Sequence, residues 1–234
     1  MTLPRAVAVV IPARDEYLLL PACLDSVEHA IGVLLTAHPS IRCRVFVVLD
    51  SCLDGTPEIV SARPTLESVP VRVGQVGAAR DAGLDAATEW SRATDPAHVW
   101  IANTDADTVV PGHWLIEQVA LAAAGHDLVV GTVQPEPTDL TRVELALWSE
   151  RHTMPDGHEH VHGANLGFSL QAAHGVGGFP HVAVHEDVQL VRNLRESGAP
   201  WIASGGIRVV TSGRRCGRAP GGFATYLGGL TSSA

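Results

Sequence analysis

The sequence predicts an α/β fold in a single domain, with a mixed, mostly parallel sheet flanked by helices. Two observations indicate this fold. Apolar runs of about four to seven residues, the length of buried strands, alternate with longer amphipathic stretches of helical periodicity. No internal repeat or low-complexity linker interrupts the pattern. A chain of 234 residues, 46% of them hydrophobic, can fill one core but hardly two.

The first half of the chain supplies the predicted elements in regular order. Residues 6–11 (AVAVVI) are a wholly apolar strand that ends at Pro12. A helix over 16–36 leads to the second strand, 45–49 (VFVVL), which is again all apolar, and then to a short helix at 56–62. This alternation is typical of parallel strands joined by helices.

The same alternation continues along the chain. A weaker strand at 69–73 precedes a helix at 77–92. Gly77 and Gly83, near the start of that helix, either let backbone approach a phosphate or simply pack closely. A strand at 99–102, a helix at 113–124 and a strand at 128–133 follow.

After residue 133 the sequence changes character. A helix at 139–151 gives way to a histidine-rich turn and an apolar segment at 161–170. A helix at 186–196, a strand at 207–210 and a tail rich in glycine and arginine complete the chain. We interpret residues 1–133 as a nucleotide-binding half and 134–234 as an acceptor half with its tail, within one domain 1–234.

The composition excludes several functions. All sixteen basic residues are arginines, so lysine-dependent sites such as a P-loop, a kinase-type site or a Schiff base are excluded. A net charge of −9 argues against general nucleic-acid binding. We expect no transmembrane segment and no signal peptide, because neither pattern is evident. Four widely spaced cysteines without a C-x-x-C pair indicate reduced thiols and a cytoplasmic protein: Cys23, Cys43, Cys52 and Cys216.

Acidic residues follow three of the predicted strands, where open α/β sheets bind their ligands. Asp105 and Asp107 come after the fourth strand. On extended chain, carboxylates at i and i+2 point to one side and could hold a hard divalent cation. Asp50 follows the second strand and is an acceptor only, which suits the N–H of uracil or guanine. Asp15 and Asp54 have an alternative role as helix caps.

Five motifs occur in order: VVIPARDE at 9–16, VVLDSCLDGT at 47–56, VGAARDAG at 76–83, NTDAD at 103–107 and HED at 185–187. Together they resemble family 2 glycosyltransferases of the GT-A type, a Rossmann-like fold, over about residues 6–226. The resemblance implies transfer of a sugar from a UDP- or GDP-linked donor to the hydroxyl of a small molecule, lipid or glycan. It implies Mg²⁺ or Mn²⁺ as cofactor, with Asp107 as its ligand.

The resemblance also implies roles on the donor side. Glu16 would lie near the ribose, Asp50 at the base, Arg80 near the diphosphate or sugar, and Asp105 at the ribose or sugar with a share in the metal. The full set of implied donor-binding residues is Pro12, Ala13, Arg14, Glu16, Asp50, Arg80, Asp105 and two tail arginines, Arg214 and Arg218.

On the acceptor side, the resemblance implies that Asp187 is the catalytic base, with Glu186 beside it. Adjacent carboxylates repel each other, which raises the pKa of one of them. The alternative is that both acids only open a helix. The segment GANLGF resembles a loop that closes over the donor sugar, and Asn165 could instead be a turn residue. Its predicted acceptor-binding residues are His162, Gly163, Ala164 and Asn165.

Two clusters leave several uses open. Tail arginines could bind the leaving diphosphate, bind an anionic acceptor, or lie on a solvated or lipid-facing surface, so peripheral membrane contact is possible. The histidines from His152 to His162 could form a zinc site, although Asp156 and Gly157 indicate a turn there. His185 is a candidate third metal ligand.

The chain departs from the family pattern at Ser51, where many members have a second aspartate. The Q-x-x-R-W motif of processive members is absent, so we expect a single-transfer, inverting enzyme. The alternatives are a nucleotidyltransferase, which would have a glycine-rich loop and a lysine, or a nucleotide-binding module without catalysis. A Rossmann dehydrogenase would need G-x-G-x-x-G after the first strand. The oligomeric state is not predicted.

Overall fold

A computed structural model describes residues 3–215, 217 and 222–229. Its strands are β1 (Ala6–Ala13), β2 (Arg42–Asp50), β3 (Leu66–Val71), β4 (Val99–Asn103), β5 (Thr108–Val109), β6 (Leu128–Pro135), β7 (Leu166–Ser169) and β8 (Trp201–Thr211). Its helices are α1 (Leu20–Ala37), α2 (Thr56–Ser61), α3 (Val76–Ser91), α4 (Trp114–Ala123), α5 (Arg142–Arg151), α6 (Leu170–Val176), α7 (Glu186–Glu196) and α8 (Phe223–Gly229).

The eight strands form one sheet in the order β3-β2-β1-β4-β7-β6-β8-β5. Strands β1 to β4 are mutually parallel, and β6 is parallel to β8. Strand β7 runs antiparallel between β4 and β6, and β5 pairs antiparallel with β8 at the edge. Because β4 and β6 both oppose β7, their carboxyl ends lie at the same edge of the sheet.

Helices cover both faces of the sheet, so its central strands are apolar on both sides. The first face packs under α1 and α4, with Leu24 and Trp114 fully buried. The second face packs under α3, α6 and α7. A Cβ on Gly83 would meet Val48 Cγ2 at 3.0 Å, so close helix–sheet packing accounts for this glycine.

Helix α1 is the one helix among the described residues that is long and apolar enough, by length and composition, to cross a membrane. Six of its residues are buried in the core of the domain, including Leu20, Val27 and Leu34. This pattern is that of an amphipathic helix packed on a sheet.

The predicted α/β fold is confirmed, with differences at the ends of elements. Helix α1 begins at Leu20 rather than 16, because the preceding loop is held by side-chain hydrogen bonds described below. Helix α5 begins at Arg142 rather than 139, because Thr141 and Glu144 form a capping box. The prediction missed three short elements, β5, α6 and α8, whose two to seven residues carry little periodicity.

Candidate active site

A cleft of about 750 Å³ opens at the carboxyl ends of β1, β2 and β4 and is lined by residues from both halves of the chain. Most predicted site residues that the structure describes line it. They are Pro12, Ala13, Arg14, Glu16, Asp50, Arg80, Asp105, Asp107, His162, Gly163, Ala164, His185, Glu186, Asp187 and Arg214. Asn165 does not line the cleft. Arg218 lies outside the described residues.

Two of the acids after β1 and β2 shape the loops. The Asp15 carboxylate accepts the Leu53 N–H at 2.7 Å, and the Asp54 carboxylate accepts the N–H groups of Thr56 at 2.9 Å and Tyr17 at 3.0 Å. Asp15 itself has a left-handed φ of 52°. The helix caps considered for these two aspartates are not found: Leu19 and Gly55 are the N-cap residues of α1 and α2, and both aspartates hold loop backbone instead.

Asp50 is buried at the end of β2 and lines the cleft. Its Oδ1 accepts hydrogen bonds from the N–H groups of Val73 at 2.9 Å and Gly74 at 3.1 Å, and from the hydroxyl of Ser51 at 3.0 Å. Ser51, the residue that departs from the family pattern, has a left-handed φ of 56°, and its hydroxyl helps to orient Asp50.

Asp105 and Asp107 reach the cleft differently from the prediction. Strand β4 ends at Asn103, and the Thr108 N–H donates to the Asp105 carbonyl at 3.1 Å, so the pair lies in a turn and not on extended chain. Ala106 between them is buried. Both carboxylates nevertheless line the cleft, each with an arginine: Arg80 lies 2.5 Å from Asp105, and Arg214 lies 2.8 Å from Asp107.

Negative charge is concentrated around Asp107. Burial of its side chain, together with the nearby carboxylates of Asp105 and Glu16, raises its pKa to about 6 despite the opposing effect of Arg214. Arg214 also binds Glu16 through two hydrogen bonds, of 2.9 and 3.1 Å. Its guanidinium therefore acts as the counter-ion of both carboxylates.

Asp187 and Glu186 begin α7 on the opposite side of the cleft. Asp187 is half-buried, and its Oδ2 accepts the Gly163 N–H at 2.6 Å. Glu186 is buried and ion-paired with Arg80. Burial raises the pKa of Glu186, Arg80 lowers it, and the carboxylate of Asp187 raises it further. The predicted rise within this acidic pair therefore falls on Glu186, and Asp187 is the more accessible carboxylate.

A model of a protein family described as glycosyl transferase family 2 matches residues 8–174. The chain belongs to glycosyl transferase family 2. No curated protein sequence matches it significantly.

Solved glycosyltransferase structures share this fold. The mannosyltransferase PcManGT from Pyrobaculum calidifontis, in complex with GDP-Man and Mn²⁺, has a TM-score of 0.62 and 22% identity over 93% of this chain and 59% of its own. S. aureus TarS 1-349 has a TM-score of 0.61 and 12% identity over 90% of this chain and 61% of its own. Both identities support a common GT-A fold only, and this chain spans less than two thirds of either protein.

A third similar structure is glucosyl-3-phosphoglycerate synthase from Mycobacterium tuberculosis, in complex with Mn²⁺, UDP and phosphoglyceric acid. It has a TM-score of 0.57 and 15% identity, over 98% of this chain and 78% of its own. Two of the three neighbours therefore hold Mn²⁺ with a nucleotide or nucleotide sugar.

The end of the cleft beside Asp105 and Asp107 has side chains that fit a divalent cation. Asp105 and Asp107 supply hard oxygen ligands, and burial raises the pKa of Asp107 although Arg214 lowers it. No three His, Cys, Asp or Glu side chains are grouped as a metal site among the described residues, so His185 does not complete one with the two aspartates. Mg²⁺ is commonly held by one or two carboxylates plus substrate phosphates, and the site matches that pattern.

The predicted acceptor loop of this family 2 member is only partly as expected. Gly163 and Ala164 line the cleft, but Asn165 is buried beneath it. The Asn165 Oδ1 accepts the Trp114 ring N–H at 2.9 Å, and its Nδ2 donates to the carbonyls of Thr132 at 2.8 Å and Ile207 at 3.0 Å. The prediction of Asn165 as an acceptor ligand is therefore corrected: it joins the loop to β6 and β8.

The histidine cluster forms an aromatic wall beside the acceptor loop. The ring of His152 stacks on Trp148 at 3.6 Å and lies 3.1 Å from the Tyr226 hydroxyl. Phe223 contacts both Trp148 and His162 edge-on. The zinc alternative finds no support among the described residues. Helix α8, unforeseen in the sequence, brings Phe223 and Tyr226 to the cleft, and two aromatics among glycines were its only signal.

His162 should make the enzyme less stable in acid. Burial lowers the pKa of His162 to about 4, and its Nε2 has no hydrogen-bond partner among the described residues. The unfolded chain binds this proton below about pH 6.5, so folding stability falls as the pH drops from 6.5 towards 4, by up to about 1.4 kcal/mol per pH unit. His162→Gln should flatten that part of the curve measured by urea unfolding.

The pH range 7–8 serves as the control. Wild type and His162→Gln should there show the same change of unfolding free energy with pH, because His162 is neutral in both the folded and the unfolded chain. An unchanged slope in His162→Gln below pH 6.5 would show that the ring is protonated in the folded protein.

Proposed function

We propose that this glycosyltransferase transfers a sugar from a nucleoside-diphosphate sugar to an acceptor hydroxyl with inversion, using Asp187 as base and Asp107 as a ligand of Mg²⁺ or Mn²⁺. One observation supports this best. Asp107 comes from the first half of the chain and Asp187 from the second, yet both line the same cleft. A donor bound at one aspartate would present its sugar towards the other.

The residues of the chain divide the chemistry between them. The Gly163 N–H donates to Oδ2 of Asp187 and so orients its carboxylate towards the acceptor hydroxyl. The carboxylate takes the proton of that hydroxyl. The acceptor oxygen then bonds to the anomeric carbon as the bond from that carbon to the phosphate oxygen breaks. The nucleoside diphosphate leaves with the bonding electrons, and a bound metal ion would stabilise its charge. Arg214 lies at the same end of the cleft to assist.

The donor base and the acceptor are proposed by chemistry. Asp50 suits a UDP- or GDP-linked donor, since a carboxylate accepts from the N–H of uracil or guanine. The acceptor side is apolar and aromatic, with Val161, Phe223 and Tyr226 among its lining residues. It suits the face of a glycan, a lipid or an uncharged small molecule. We propose a cytoplasmic location for the enzyme, with peripheral membrane contact if the acceptor is a lipid.

A thermal-shift panel tests the donor site. UDP and GDP, each with Mn²⁺ or with EDTA, should be compared with ADP as a control base. A ligand at 100 times its dissociation constant adds about 2.7 kcal/mol to the free energy of unfolding, or roughly 5–10 °C for a domain of this size. We expect UDP or GDP to stabilise only with Mn²⁺. No shift with either nucleotide, or an equal shift with ADP, would contradict the proposal.

A further inference from the structure

A buried arginine joins the two sides of the active site. Arg80 on α3 is 3% exposed, and its Nη2 lies 2.5 Å from Asp105. Its Nη1 donates to Glu186, the residue before the proposed base. Both terminal amino groups of the guanidinium are thus bound to protein carboxylates, one from each half of the chain.

The same guanidinium lies directly beneath the acceptor loop. A Cβ added to Gly163 would stand 2.5 Å from Cζ of Arg80, so a side chain there would collide with the guanidinium. The Gly163 N–H also donates to Oδ2 of Asp187, whose Oδ1 accepts the adjacent Val188 N–H on α7. The height of this peptide above the guanidinium therefore helps to set the position of the carboxylate of Asp187 across the cleft.

The guanidinium of Arg80 keeps its positive charge in this buried position. Burial alone would lower the pKa of Arg80, but the carboxylates of Asp105 and Glu186 outweigh burial and raise it above its usual range. A planar fork can bind two carboxylates and support a peptide on its face, which a lysine ammonium cannot do.

We propose that Arg80 is a positioning residue for the base and not a ligand of the donor phosphates, an inference that rests on the proposed function. It holds Glu186 at the start of α7 and supports the peptide of Gly163. Through these two contacts it sets the position of Asp187 relative to Asp105 and Asp107.

Two variants of the full chain test the proposal from different sides. Arg80→Gln removes the charged fork, and Gly163→Ala leaves the fork but forces the peptide away from it. Calorimetry with UDP or GDP and Mn²⁺ gives the dissociation constant. Release of nucleoside diphosphate from UDP-glucose and GDP-mannose gives kcat and KM. We expect both variants to bind nucleotide within about threefold of wild type while kcat falls about 100-fold, as small misplacements of reacting groups do.

Loss of folding is controlled separately. Arg80→Gln leaves Glu186 buried without its cation, so the double variant Arg80→Gln/Glu186→Gln should recover the melting temperature but not kcat. Arg63 also pairs with two carboxylates, at 2.6 Å from Asp25 and 2.8 Å from Glu28 on α1. It lies outside the cleft lining, so Arg63→Gln should retain wild-type kcat.

Two results would overturn the positioning role. Nucleotide binding weakened tenfold or more in Arg80→Gln would make Arg80 a phosphate ligand. A kcat near wild type in both Arg80→Gln and Gly163→Ala would mean that neither contact positions the base. If wild type itself binds neither nucleotide, the proposed function has failed, and that outcome is distinct from these two.

Discussion

Asparagine in place of Asp187 should lower kcat for donor turnover by about 10²–10⁴-fold, the usual contribution of a general base. The amide oxygen can still accept the Gly163 N–H, although the amide nitrogen then faces the Val188 N–H that Oδ1 of Asp187 accepts at 2.8 Å, and the side chain no longer takes a proton. The loss corresponds to about 3–5 kcal/mol of transition-state free energy. The dissociation constant of the nucleoside diphosphate should stay near its wild-type value. Release of nucleoside diphosphate and calorimetry measure the two effects.

Glu196→Gln is a matched control for this variant. Glu196 ends the same helix and forms an exposed ion pair with Arg192 at 2.7 Å. Its loss should leave kcat unchanged, because surface pairs of this kind contribute little. A loss of less than threefold in Asp187→Asn would mean that another group accepts the proton.

Asparagine in place of Asp107 should abolish metal-dependent nucleotide binding and lower kcat/KM by about 10³-fold or more. A metal ion contributes several kcal/mol of charge stabilisation, and Asp107 is the more buried of the two candidate ligands. The Mn²⁺-dependent part of the thermal shift should disappear with it. Because burial disfavours the charged form of Asp107, the neutral amide should not unfold the protein.

Asp85→Asn is the control for Asp107→Asn, since Asp85 is exposed on α3 and does not line the cleft. It should keep the full response to Mn²⁺. A Mn²⁺-dependent thermal shift of wild-type size in Asp107→Asn would mean that other residues bind the cation.

The fold was largely predictable because its central strands are buried on both faces. Runs such as AVAVVI in β1 are apolar throughout, so the strand can be recognised without knowing which strands lie beside it. Strand β5 has only two residues, and its pairing with β8 depends on chain more than a hundred positions away. Such contacts leave no local periodicity to detect.

The site was predictable by residue type and less so by role. Asp105, Asp107 and Asp187 were identified as acids at strand or helix ends, and the structure brings them to one cleft. The role of Arg80 depends on Glu186, 106 positions away along the chain, and that of Asn165 on Trp114 and two carbonyls. Partners so distant in sequence are set by the tertiary fold, which a motif does not encode.

The reversed direction of β7 has a consequence for how acceptor choice can change. Strand β6 ends, and β7 begins, towards the same edge of the sheet, and the excursion between them (residues 136–165) leaves after Pro135 and returns at Leu166, which pairs with Val130 of β6. It carries α5, the aromatic wall residues Trp148 and His152, and the acceptor loop. A change in the length of this excursion costs little additional entropy, because the entropy of closing a loop grows only slowly with its length. We therefore expect that residues 136–161 can be exchanged to change the acceptor side, whereas Gly163 and Asn165 must be kept because they hold Asp187 and join the loop to β6 and β8.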